Sequence, residues 1–209
     1  MALSSSYKNF FELSRAEYEG ISYRREVANR TSRFAIIAPH GGGIEPGTSE
    51  ITKAIAGTQY SYYTFDGIQQ EGNGRLHITS TLFDDPRCLQ IVHDSEIVIA
   101  VHGCSGDGKF VYVGGLHYEL KVILTTKLAK AGFDTYLTET SYAGTQPQNI
   151  CNRGGSGRGV QIEISEGLRR IMFKTFDRKG RKITTDVFQK FVDAVRGGLI
   201  SSGSRKRSL

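Results

Sequence analysis

Phe34-Ala35-Ile36-Ile37-Ala38-Pro39-His40-Gly41-Gly42-Gly43-Ile44-Glu45-Pro46-Gly47-Thr48-Ser49-Glu50 sets the architecture expected for this chain. Its first five residues form an uninterrupted apolar run, short enough to be a buried strand. Ile51-Thr52-Lys53-Ala54-Ile55-Ala56 follows, with apolar residues at helical spacing. The segment between is a turn at the carboxyl end of a strand, the edge where open α/β sheets bind ligands. His40 and Glu45 flank three glycines, and glycine lets a backbone fold back tightly. Such a turn can bring an imidazole and a carboxylate onto one metal ion. A phosphate-cradling turn is the competing reading. It fails because no Lys-Ser/Thr follows the glycines, no G-x-G-x-x-G is present, and Glu45 would repel phosphate. The bland alternative is a plain tight turn with a solvated His and Glu.

The rest of the chain repeats the pattern. Ile97-Val98-Ile99-Ala100-Val101 is a continuous apolar, β-branched run, suited to a central strand covered on both faces. It ends in His102-Gly103-Cys104-Ser105-Gly106-Asp107-Gly108, again a His followed by a Gly-rich loop. Neighbouring parallel strands lie about 4.8 Å apart, so His40 and His102 at one sheet edge can reach a single ion, with Glu45 as third ligand. Two His and one carboxylate with an open fourth position for water form a catalytic zinc arrangement. Cys104 ranks below these, since a free Cys is more often a small buried hydrophobe. Further strands are expected over 60–65, 135–137 and 160–164. Helices are expected over 86–93, where Asp84 or Asp85 caps Pro86, over 116–131, ended by Gly132, and over 166–173 and 184–195. Strands alternating with helices predict an α/β domain with a mostly parallel central sheet flanked by helices.

Length and composition are consistent with one soluble domain. The 209 residues suit a single core, assigned to 1–198, with a flexible basic tail over 199–209 that contains Arg205-Lys206-Arg207. No apolar run reaches bilayer length, so no membrane span is expected. Met1 to Tyr7 is polar and lacks the form of a secretory signal, so a cytoplasmic protein is expected, reaching extracellular material only after lysis or another release. Cys88, Cys104 and Cys151 are odd in number and widely spaced, which argues against a disulfide framework. The net charge of +6 is either a solvated surface or an attraction for a polyanion. No nucleic-acid motif accompanies it, and a monomer with no nucleic-acid partner is expected.

Several other residues are candidates for chemistry. Glu163 stands in the alternating segment Val160-Gln161-Ile162-Glu163-Ile164, where a carboxylate is costly without a task or partner. It could serve as general base and then pass its proton to a leaving amine. Its alternative is the solvated face of an edge strand. Glu166 competes with it, but sits where an acid simply favours a helix start. The long polar loop 140–159 carries Tyr142, Arg153 and Arg158, and structureless loops of that length are usually functional. Arg153 and Arg158 are the expected carboxylate clamps, with Arg75, His77 and Tyr142 as further substrate contacts. His93 and His117 fall within expected helices and are read as structural or solvated.

Pro39-His40-Gly41-Gly42-Gly43-Ile44-Glu45, Arg75-Leu76-His77-Ile78-Thr79-Ser80, Val101-His102-Gly103, Asn152-Arg153 and Gly159-Val160-Gln161-Ile162-Glu163-Ile164-Ser165 together resemble the poly-γ-glutamate hydrolases of bacteriophages and related bacteria. The N-formylglutamate amidohydrolases are similar at a greater distance. The resemblance runs from about residue 34 to 170. It implies a zinc carboxypeptidase-like domain, His40, Glu45 and His102 around one Zn2+ per chain, and hydrolysis of the anionic γ-linked polymer of capsules and slime. The spacer between His40 and Glu45 is longer than in zinc carboxypeptidases proper. Two other functions fit the same residues: a small-molecule N-acyl-glutamate amidohydrolase, and a non-catalytic polyanion-binding module.

Overall fold

A computed structural model of the chain describes residues 6–138 and 142–204. Seven strands form one sheet: β1 (Tyr23–Ala28), β2 (Phe34–Gly42), β3 (Ser61–Gly67), β4 (Ile97–Cys104), β5 (Phe110–Gly114), β6 (Asp134–Leu137) and β7 (Val160–Ser165). Their spatial order is β1-β3-β2-β4-β7-β5-β6. The central four, β3, β2, β4 and β7, run parallel, while β1 and β5 pair antiparallel with β3 and β7. The helices are α1 (Phe10–Ala16), α2 (Thr48–Ala56), α3 (Pro86–His93), α4 (Tyr118–Lys130), α5 (Glu166–Ile171) and α6 (Asp186–Ser204). The expected mostly parallel α/β sheet is therefore present. Among the described residues no helix is long and apolar enough to cross a membrane.

Strand alternation builds two cores. Ile97, Ile99 and Val101 of β4 join Ile162 and Ile164 of β7 under α2, α4 and α6, where Phe188, Phe191, Val195 and Leu199 pack. Val98 and Ala100 point the other way, into a cluster with Leu13 of α1, Ile91 of α3, Tyr63 and Phe65. Each large apolar side chain removed from water in this way contributes about 1.5–3 kcal/mol. That second cluster covers only the β1-β3-β2-β4 half of its face. Beyond β4 the same face carries Gln161 and Glu163 of β7 and Tyr112 of β5, because their neighbours Ile162, Ile164, Val111 and Val113 belong to the first core. The half-uncovered face is where the site forms.

Three elements go beyond the sequence expectation: α1, β1 and β5. β1 is an edge strand rich in charge, Tyr-Arg-Arg-Glu-Val-Ala, and lacks the apolar signature of the buried strands. Residues 199–204, expected in the tail, instead complete α6, and Leu199 is fully buried against the first core. The tail's Arg205-Lys206-Arg207 lies outside the described residues. His40 also stands within β2 rather than in the turn after it.

Candidate metal centre and active site

The His-to-Glu segment is folded by its own backbone. Glu45 N–H donates to His40 O at 2.8 Å, and Ile44 N–H to Gly41 O at 3.2 Å. A register shift in the β2–β3 ladder between Ala38 and Gly41 re-aims His40, as β-bulges do. Gly41 lies so close to Asp66 and Ser49, which hydrogen-bond one another, that a Cβ there would collide with both. Gly42 adopts φ +66°, the left-handed region that glycine enters without strain.

This turn brings the ligand atoms of three residues together. His40 Nδ1 is 3.2 Å from Glu45 Oε1 and 3.1 Å from His102 Nδ1, and His102 Nδ1 is 3.5 Å from Glu45 Oε2. A tetrahedral ion with bonds of ~2.0–2.1 Å spans ligand edges of about 3.3–3.4 Å, and each of the three separations is near that value, the two histidines facing different oxygens of Glu45. Its wiring also suits a cation. His40 Nε2 lies 2.6 Å from Ile78 O, an atom that can only accept, so Nε2 carries a proton and Nδ1 is the nitrogen turned toward the cluster. His102 Nε2 faces Ser80 Oγ at 3.4 Å, and Gly103 N–H holds Glu45 Oε2 at 2.8 Å. All three residues are buried. Burial alone would push Glu45 up, but the charges and hydrogen bonds of His40 and His102 outweigh it and hold the carboxyl well below its usual range. Burial likewise opposes charge on His102, and Glu45 more than compensates, so that His102 is raised.

His77, expected to contact substrate, belongs to the same cluster. Its ring lies 4.0 Å from that of His40, and His40, Glu45 and His77 offer ligand atoms within 4.8 Å of one another. Burial first, then the neighbouring His40, pushes His77 down to about 3.

Glu163 faces this cluster. It is register partner of His102 across β4 and β7, and β7 is an interior strand, so the solvated-edge alternative fails. The residue is 7% exposed. Burial, aided by the charge of Glu45, pushes Glu163 up to about 7 against the opposing pull of His102, Arg169 and Gln161. A carboxyl near that value can both take and return a proton at neutral pH. Gln161 Nε2 donates to Glu163 Oε1 at 3.0 Å, and Asn149 Nδ2 donates to Gln161 Oε1 at 2.9 Å. Glu166 starts α5 and pairs with Arg170, as a helix-start acid does.

The cavity in front of these groups has a volume of about 600 Å³ and is walled by Ile44, Pro46, Ser80, Cys104, Tyr142 and Gln161 among others. Tyr142 is thus placed where expected, stacked on Tyr112 with ring centroids 5.7 Å apart. The three arginines are not. Arg75 is bound to Glu17 through Nε at 2.7 Å and Nη2 at 3.0 Å. Arg153 donates to Phe83 O at 3.1 Å, and Arg158 is exposed. Both precede β7's first residue, and so lie toward the sheet edge opposite to the His-bearing strand ends. None of the three lines the cavity.

The arginine that does line it is Arg169, which sequence reasoning missed. It is 3% exposed, and its guanidinium donates to Pro46 O, Ile164 O and Cys104 O at 2.6, 3.0 and 3.1 Å. Those carbonyls adjoin Glu45, Glu163 and the β4 segment of His102, so one side chain ties together the three segments that carry the site. Its only sequence signal was an arginine inside a short apolar helix. Cys104 is a buried pocket thiol pushed up to about 12, mainly by burial. His117 caps α4 by accepting from Leu120 N–H, and His93 is exposed at the end of α3.

Comparison with known proteins agrees with this fold. The poly-gamma-glutamate hydrolase family model matches residues 7–194. The chain belongs to that family. The SPbeta prophage-derived UPF0714 protein YoqZ of Bacillus subtilis (strain 168) is 39% identical over 194 residues, covering 92% of this chain and 69% of YoqZ. The structure of a bacteriophage poly-gamma-glutamate hydrolase superposes with a TM-score of 0.94 at 33% identity, over 96% of this chain and 99% of that one. A zinc-free apo form of YndL superposes at 0.91 with 37% identity, over 95% and 99%. As a poly-gamma-glutamate hydrolase family member, the chain is a hydrolase acting on amide bonds.

Proposed function

We propose that this protein hydrolyses the γ-glutamyl amide bonds of poly-γ-glutamate, the polymer of capsules and slime, with one Zn2+ held by His40, Glu45 and His102. The observation that carries the reading is the ligand triangle of 3.1–3.5 Å facing a buried Glu163 in a member of this family. A zinc ion held there supplies Lewis acidity to the scissile carbonyl. The chain's own residues do the rest. Glu163 has Oε1 occupied by Gln161. Its other oxygen takes a proton from the attacking water as the C–O bond forms, then delivers it to the nitrogen as the C–N bond breaks, leaving a carboxylic acid and an amine, which ionise to carboxylate and ammonium as the acid's own proton passes to the amine. Arg169 keeps the strand ends in place while this happens, and Tyr142 and Ile44 wall the cavity around the substrate.

The test is Glu163→Gln, with Glu166→Gln as control. Glu163→Gln keeps size and shape but cannot accept the proton. Zinc content should stay at one per chain, while polymer shortening slows by ~10²–10⁴-fold. Glu166→Gln should cut normally. A zinc-loaded Glu163→Gln protein that cuts at the wild-type rate would overturn the assignment of the base. Cleavage of N-acyl-glutamates with no change in polymer length would favour the small-molecule amidase instead.

A further inference from the structure

The positive charge of this chain is concentrated. Residues 174–182, Lys-Thr-Phe-Asp-Arg-Lys-Gly-Arg-Lys, hold five cations and one acid, and therefore four of the six net charges. With Arg205-Lys206-Arg207 also set aside, the remaining chain is close to neutral.

This loop is fastened to the site. A bridge between Phe173 and Thr184 closes its base, and Lys174 N–H donates to Ile183 O at 2.9 Å. Buried Arg181 pins its far side, donating to Glu50 at 2.9 Å and to Gly42 O, two residues from His40, at 3.2 Å. Arg178 donates to Gln69 O at 3.0 Å. Phe173 packs against Gly47, next to pocket-lining Pro46, and Phe176 lies under the guanidinium groups of Arg169 and Arg170 at 5.7 and 4.8 Å. The loop thus forms the rim outside the Ile44–Pro46 wall of the cavity. Lys174, Arg178, Lys179 and Lys182 are exposed, and none of them forms an ion pair among the described residues. Exposed cations near the pocket such as Arg170, by contrast, are already paired.

We propose that the loop 174–182 is the surface on which the acidic polymer lands, with the part of the chain outside the cavity lying over Lys174, Arg178, Lys179 and Lys182. The proposal rests on poly-γ-glutamate being the substrate. In that polymer every residue keeps a free α-carboxylate, so a stretch of chain presents repeated negative charge. One exposed ion pair holds little. Four cations with no acidic partner to give up among the described residues raise the local concentration of a long polyanion beside the cavity.

The experiment measures retention of intact poly-γ-glutamate by Glu163→Gln protein, with and without the added changes Lys174→Ser, Arg178→Ser, Lys179→Ser and Lys182→Ser. The four changes should weaken retention by about tenfold at low salt and flatten its salt dependence. In the otherwise native protein they should lower the ratio of kcat/KM on long polymer to that on a γ-linked tetramer by a similar factor. Lys130→Ser and Lys190→Ser, exposed on α4 and α6, should leave retention unchanged. Equal retention by the four-change variant overturns the proposal. So does a larger loss when the α4 and α6 lysines are removed, or tighter binding of duplex DNA than of polymer at the loop. If the native protein does not shorten the polymer, the functional reading falls, while loop-dependent retention still decides this inference.

Discussion

At the scale of single residues, the site contains more imidazole than one ion needs. His77 shares a cluster with His40 and Glu45, while His102 Nδ1 stands 3.1 Å from His40 Nδ1 and 3.5 Å from Glu45 Oε2. His102→Ala should therefore lose most bound zinc, and His77→Ala should retain it, as read by elemental analysis after dialysis. The reverse result would move the third ligand to His77. The amide pair behind the base makes a second prediction. Cys151 N–H donates to Asn149 Oδ1 at 3.1 Å, which fixes the Asn149 amide, and Asn149 in turn fixes Gln161. Gln161 then holds one oxygen of Glu163. Gln161→Leu should slow turnover roughly 10- to 100-fold, the range of a hydrogen bond to a charged group, with KM and zinc content little changed. On a Glu163→Gln background the same change should add almost nothing, since both act on one proton transfer. An undiminished loss on that background would give Gln161 a separate role.

At the scale of elements, the reassigned Arg75 shows how a substrate candidate became a fastening. The Glu17–Arg75 pair joins the residue after α1 to the one-turn helix at Asn73–Leu76. The hydrogen bond from Arg75, against opposing burial, holds Glu17 at about 2. A carboxylate depressed on folding contributes its stability above its unfolded value of 4.5 and loses it as pH falls through about 2. Denaturant titrations should show this pair's contribution, on the order of 1–2 kcal/mol after screening of the partly exposed Arg75, disappearing between pH 4.5 and 2. In Arg75→Gln most of that increment should be absent already at pH 7. An unchanged acid limb in that variant would reject the pair as its source.

At the scale of the whole molecule, the site couples strands of one sheet. His40 comes from β2, Glu45 from the turn after it and His102 from β4, which is hydrogen-bonded to β2. An ion bound by all three favours the folded chain over the unfolded one. At free zinc 100–1,000 times the dissociation constant, the gain corresponds to a Tm shift on the order of 10 °C for a domain of this size. A chelator should therefore lower the Tm of the native protein by that amount and leave His40→Ala unmoved. Equal shifts in both would place the stabilising ion elsewhere.

The sheet and its two His-ended strands were legible in the sequence because each is a local signal. A buried parallel strand is written as a continuous apolar run, and the side chain at its end inherits a known edge of the sheet. Glu163 was legible for the same reason, as an acid in an alternating strand. The sequence did not disclose which arginine meets the cavity. Arg153 and Arg158 sit in the same long loop as Tyr142, but that loop crosses from one sheet edge to the other, and only the pairing of β7 beside β4 decides where each part ends. Arg169 was hidden by the opposite effect. Its three carbonyl partners, on Pro46, Cys104 and Ile164, lie far apart along the chain and come within reach of one guanidinium only when the strands are side by side.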